Sequence, residues 1–121
     1  MRGDTVEVRR IADAPRYSAP GHFDMAALRL QGRDVGSSTG FWVGLSHFLP
    51  GGGAERSSSA LDRVYVVLAG EVAVEDGAGA EVTLGPLDSC FVPGGEPRTV
   101  HNRTGLPCSM LVVMPYPEEA A

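Results

Sequence analysis

Few side chains in this sequence can move protons, hold metals or grip anions. His22, His47 and His101 are the natural proton carriers near neutral pH. Arg63 and Arg98 offer planar forks that take carboxylate oxygens two at a time, and Ser57, Ser59 and Tyr65 add hydroxyls. A catalytic zinc or iron site needs about three ligands of the right kind on one face. The candidates for that role, His22, His47, His101, Glu55, Asp62 and Glu96, are scattered along the chain. A histidine satisfied in a core or an interface is the commoner arrangement, because a metal demands partners. Cys90 and Cys108 both fall inside apolar segments, where a buried, reduced thiol is expected.

The elements that must position these groups are strands. Sixteen glycines and nine prolines punctuate short apolar runs, and no segment sustains a helical apolar period. Strands are predicted over Thr5 to Ile11, Phe23 to Gln31, Phe41 to Leu49, Val64 to Leu68, Glu71 to Glu75, Ala80 to Leu84, Ser89 to Val92, Arg98 to Asn102 and Cys108 to Met114. Asp76-Gly77 between two of them is a hairpin signal, with Gly77 expected to supply the positive φ. Pro15 and Pro20 make Ala14 to Gly21 an extended arm, Gly32 to Gly40 reads as a polar connection, and Pro50 to Ala60 reads as a loop. Its three glycines imitate a phosphate-gripping loop only superficially, since neither a lysine nor a helix pattern follows. So many short antiparallel strands imply a sandwich or barrel.

With 121 residues the chain is expected to be a single domain: an arm over 1–22, a barrel core over about 23–115 and a short acidic tail over 116–121. A hydrophobic content of 43% against 21% charged residues suits a packed core. The net charge of -5 leaves no basic surplus for a phosphate backbone, so nucleic acid is not an expected partner. The longest apolar run, Val64 to Ala69, is far short of the ~20 residues of a membrane helix, and no signal-peptide pattern opens the chain. A cytoplasmic location is expected. Asn102-Arg103-Thr104 spells a glycosylation acceptor, which carries little weight without a secretory route.

Two stretches resemble the paired signature motifs of the cupin superfamily, a double-stranded β-helix or jelly-roll barrel of antiparallel strands. The first motif, G-x5-H-x-H-x3-4-E-x6-G, falls on Gly51, Ser57, Ser59, Arg63 and Gly70. The second, G-x5-P-x-G-x2-H-x3-N, falls on Leu87, Pro93, Gly95, Arg98 and Asn102. The turn residues match, while Ser57, Ser59, Arg63 and Arg98 stand where metal-bearing members keep their ligands. The resemblance therefore implies a barrel with no metal and no other cofactor, since a guanidinium repels a cation and serine is a poor ligand.

The resemblance also sets which way side chains point. If Arg98 and Asn102 face inward, His101 faces outward, and Arg63, Tyr65 and Val67 face the cavity. Val64, Val66 and Leu68 then form an apolar outer face, which suggests a homodimer. The direction of His47 stays open. Two guanidinium groups a few ångströms apart repel by about 4 kcal/mol at an effective dielectric near 20. Either Glu55, Asp62 or Glu96 neutralises them, or both reach water, or a small anion sits between them. On the last reading the barrel binds a carboxylate-bearing or aromatic metabolite through Ser57, Ser59, Arg63, Arg98 and Trp42, in a pocket that Phe48, Met110 or Met114 also lines. An alternative is a metal-independent isomerase, cyclase or lyase in which Tyr65 or a histidine such as His47 moves the proton. A third is a metalloenzyme with ligands shifted to His22, His47, His101 and Glu55.

Overall fold

The computed structural model describes residues 6–117, almost all of whose regular structure is antiparallel sheet. Eight strands follow in chain order: β1 His22–Gln31, β2 Phe41–Ser57, β3 Arg63–Ala69, β4 Val72–Glu75, β5 Glu81–Leu84, β6 Ser89–Val92, β7 Arg98–His101 and β8 Cys108–Pro115. They pair in the order β5-β4-β7-β2-β8-β3-β6, with β1 added to β2, and the sheet curls into a nearly closed barrel. No helix among the described residues is long and apolar enough to cross a membrane.

Closure depends on β2. Its first half, Phe41 to Phe48, pairs with β8, and its second half, Gly53 to Ser57, pairs with β7, so one bent strand serves both sides of the barrel. The sequence points to a loop from Pro50 onward; instead the strand continues to Ser57. Glycine permits this, because a Cβ on Gly53 would lie 2.1 Å from the Val100 carbonyl oxygen and one on Gly52 2.2 Å from that of Asp24. Such approach is open only to a residue without a side chain.

The strand expected over Thr5 to Ile11 does not form from residue 6 onward. From residue 6 the chain runs irregularly into a 3₁₀ turn at Ile11–Asp13, because Val6, Val8 and Ile11 find no core to enter and lie exposed. Thr5 itself, like residues 118–121 of the tail, lies outside the described residues. The hairpin joining β4 to β5 forms as expected, but Gly79, at φ +85°, supplies the positive angle in place of Gly77. The Asp76 carboxylate fixes that turn by accepting from the Ala78 and Ala80 N–H groups.

The proline-rich arm runs beside β1. Tyr17 donates its backbone N–H to the Ala27 carbonyl, Arg29 donates to that of Pro15, and Arg16 bridges Leu28. The core holds Phe48, Tyr65, Val67, Val72, Val100, Cys108 and Met110, all almost fully buried. Strand β3 alternates as expected, with Arg63, Tyr65 and Val67 inside and Leu68 exposed. Both cysteines are free, and burial raises both thiol pKa values, which favours the protonated thiol.

Asn102 is a fully buried polar joint. Its Nδ2 donates to the Leu106 carbonyl at 2.8 Å, while its Oδ1 accepts from the Thr104 N–H at 3.0 Å and hydroxyl at 2.8 Å. Asn102→Asp replaces the donor with a carboxylate facing carbonyls, and is expected to lower unfolding free energy by about 3 kcal/mol or more. Urea denaturation checks this; an unchanged midpoint would mean that the joint bears no strain of folding.

Candidate functional site

Arg98 opens β7 and Ser57 closes β2, and the two residues are direct partners in the register. Arg98 is only 5% exposed, and a buried permanent charge must be hydrogen-bonded. Its Nε donates to the Tyr65 hydroxyl at 2.8 Å, and its Nη1 donates to the Glu55 carbonyl at 2.8 Å and to the Ser57 hydroxyl at 3.0 Å. One guanidinium thus ties β7 to β3 and β2.

Arg63 is equally buried but poorly satisfied. Its Nη2 reaches the Glu96 carbonyl at only 3.4 Å, and its Nε has no partner. Burial lowers its pKa, as does the charge of Arg98, while Tyr65 offsets part of the effect. Among the described residues no carboxylate forms an ion pair with either arginine. Glu55 offers Arg98 only its carbonyl, Asp62 accepts from the Gly94 N–H, and the Glu96 carboxylate accepts from the Gly77 N–H.

These groups border a cavity of about 300 Å³ inside the barrel. Ser57, Ser59, Arg63, Arg98, Tyr65 and Trp42 all line it, over a floor that includes Phe48, Met110 and Met114. The Ser59 hydroxyl accepts from the Leu61 N–H, which orders the turn before β3. Trp42 is less available than its sequence position suggests, since Arg29 lies 4.1 Å from its ring centroid and 4.2 Å from that of Tyr17.

His47 stands elsewhere. Period-two alternation sends Ser46 and Phe48 inward, so His47 faces out of the barrel, where its Nδ1 lies 2.9 Å from the Ser109 hydroxyl. His101 also faces outward, near the Phe23 ring and the Arg103 side chain. The cavity histidine is His22, brought there with Tyr17, Ser18, Ala19 and Pro20 as the arm turns into β1. Arg29 and Ser46 also reach the lining unanticipated. The polar residue at the end of a proline-rich arm was the available sequence signal; the contact itself depends on tertiary placement.

A divalent cation does not fit this donor set. Among the described residues no three His, Cys, Asp or Glu side chains come together, so the shifted set of His22, His47, His101 and Glu55 does not assemble. The Arg98 guanidinium, bonded to the tyrosine and serine hydroxyls, borders the cavity instead.

The family model described as "Cupin domain" matches residues 44–114. The chain belongs to the cupin domain family. Its sequence is 46% identical over 112 residues to the β-D-galactosidase Rv1717 of Mycobacterium tuberculosis, covering 93% of this chain and 96% of that protein. The polyketide cyclase RemF from Streptomyces resistomycificus superposes with a TM-score of 0.81 at 22% identity, over 92% of this chain and 80% of the cyclase. A cupin sugar phosphate isomerase from Silicibacter pomeroyi gives 0.74 at 23% identity, over 93% and 76% of the two chains. At such identities the two structures show the shared barrel alone. Homologues with this cupin fold are thus named as enzymes.

The different satisfaction of the two arginines predicts opposite responses to truncation. Arg98→Met strands the Tyr65 and Ser57 hydroxyls and is expected to cost about 2 kcal/mol or more. Arg63→Met removes a buried, half-satisfied charge, and is expected to leave stability within about 0.5 kcal/mol or to raise it. Thermal and urea unfolding of both variants make the comparison; equal losses would assign both arginines to the framework.

Proposed function

We propose that the barrel binds a small hydroxylated organic acid, with a sugar acid the class that suits the lining best. The observation that carries this reading is the Arg63 guanidinium, buried with an unpartnered Nε and only a 3.4 Å contact from Nη2, beside a cavity lined, among the described residues, by three arginines and no Asp or Glu. A carboxylate against this guanidinium adds a charged acceptor and offsets the repulsion between Arg63 and Arg98. Ser46, Ser57, Ser58 and Ser59 add hydroxyls suited to a polyol, and the Mycobacterium relative is named for acting on a galactoside.

A second reading is a metal-independent enzyme that moves protons on the bound acid, favoured by the presence of His22 and Tyr65 in the same cavity. Glycoside cleavage by the usual pair of carboxyl groups is less well served. Glu75, Asp76, Glu81 and Glu96 line a separate groove of about 240 Å³. There Glu81 is paired with Arg103, Asp76 holds its own turn and Glu96 holds Gly77.

Calorimetric titration with D-galacturonate, D-galactose and benzoate tests the reading. Galacturonate is expected to bind more tightly than galactose, and Arg63→Met is expected to weaken it about tenfold to a hundredfold, the worth of a charge-assisted hydrogen bond of about 1.5 to 3 kcal/mol. Equal affinity for acid and neutral sugar would sink the anion site. We also expect a homodimer through the outer face of β3 and β6, where Phe91 lies opposite Val64 and is 60% exposed, with Leu68 nearby at 42%. A stable contact buries about 1,600 Å² in all. Sedimentation showing monomer at micromolar concentration would remove that expectation.

A further inference from the structure

His22 is held in one protonation pattern by its own arm. Its Nδ1 lies 3.0 Å from the Pro20 carbonyl oxygen, which can only accept, so the ring proton of the neutral form sits on Nδ1 and the Nε2 lone pair is left open. The carbonyl is itself positioned, because the His22 N–H donates back to the Ala19 carbonyl and the Glu55 N–H of β2 donates to the Gly21 carbonyl. Tyr65 is fixed from the other side. Its oxygen accepts from Arg98 Nε, so its own O–H is free to donate, and the oxygen it would leave behind already faces a permanent positive charge.

We propose that His22 and Tyr65 are the proton acceptor and proton donor of this cavity, acting on a carbon acid whose carboxylate is anchored at Arg63. This rests on the anion-binding reading above. The step is a tautomerisation. His22 Nε2 takes a hydrogen from the carbon next to a carbonyl, the C–H electron pair becomes the new C=C bond, and the carbonyl oxygen takes the Tyr65 proton. Arg98 then stabilises the phenolate. In the second half Tyr65 recovers a proton from the neighbouring hydroxyl, and His22 returns its proton to the former carbonyl carbon. No oxidant, reductant or co-reactant is consumed.

The surroundings keep His22 ready at neutral pH. Burial lowers its pKa, Arg98 and Arg63 lower it further, and the backbone contacts to Pro20 and Ala19 only partly oppose this. The groups around it are Tyr17 on the arm, Arg29 on β1, Arg63 and Tyr65 on β3 and Arg98 on β7, with the Glu55 carboxylate beside Gly21. A base with a lowered pKa loses function only when pH falls below its usual value of about 6.5.

The test uses the full chain and D-galacturonate, whose open form carries a carbon acid at C2 beside its aldehyde. Deuterium uptake at C2 in heavy water, followed by NMR, is expected with the wild type and expected to fall about a hundredfold or more in His22→Gln and in Tyr65→Phe. Nitrogen NMR of labelled histidine is expected to show the Nδ1–H tautomer and a titration midpoint below about 6.5. The acid limb of the exchange rate should follow that midpoint and vanish in His22→Gln, which a merely structural histidine would not cause. Binding without exchange, exchange that survives His22→Gln, or an Nε2–H tautomer overturns the pair while leaving the anion site standing. Absence of galacturonate binding in the calorimetric titration removes both.

Discussion

The Arg98 guanidinium is the constraint around which the rest of the site is arranged. Buried among apolar strands, its charge is compensated where its Nε and Nη1 meet acceptors from β3 and β2. Tyr65 is thereby fixed, the end of β2 is drawn against β7, and Arg63, one alternation away on β3, is left with no equivalent set of acceptors. An electrostatic requirement at one residue thus decides which neighbour is spent on structure and which is left poorly satisfied.

Much of this arrangement was legible in the sequence because strands write their faces in steps of two. Once the resemblance to the cupin motifs set Arg98 and Asn102 inward, alternation carried Arg63 and Tyr65 to the same interior. The same rule settles His47 once its neighbours Ser46 and Phe48 are seen to be buried, but a strand apolar on both faces carries no parity of its own. The passage of β2 through Pro50 and the glycines was hidden for a related reason. Glycine normally signals a turn, whereas Gly52 and Gly53 are used here for close passage between backbones. The place of His22 in the cavity was illegible because it depends on how the arm docks, and arm docking is a tertiary outcome with no local period.

The cavity also shows how one barrel separates framework from chemistry. Its floor, Phe48, Val100 and Met110, belongs to the core and is fixed by packing density. The polar groups enter at strand ends: Arg63 at the start of β3, Arg98 at the start of β7, Ser57 at the end of β2 and His22 at the start of β1. Strand ends can change side chains without breaking the alternation that builds the core, which is how a common fold comes to host differing activities.

The arm gives this separation a further consequence. One wall of the cavity, Tyr17 to Pro20, is carried by a segment that meets the barrel through a few edge hydrogen bonds to β1 and through the stacking of Tyr17 on Arg29. That wall is a replaceable part. Lengthening, shortening or rewriting it alters the shape of the cavity without disturbing any buried strand, so divergence among chains of this type should concentrate in this arm, where change costs the fold least.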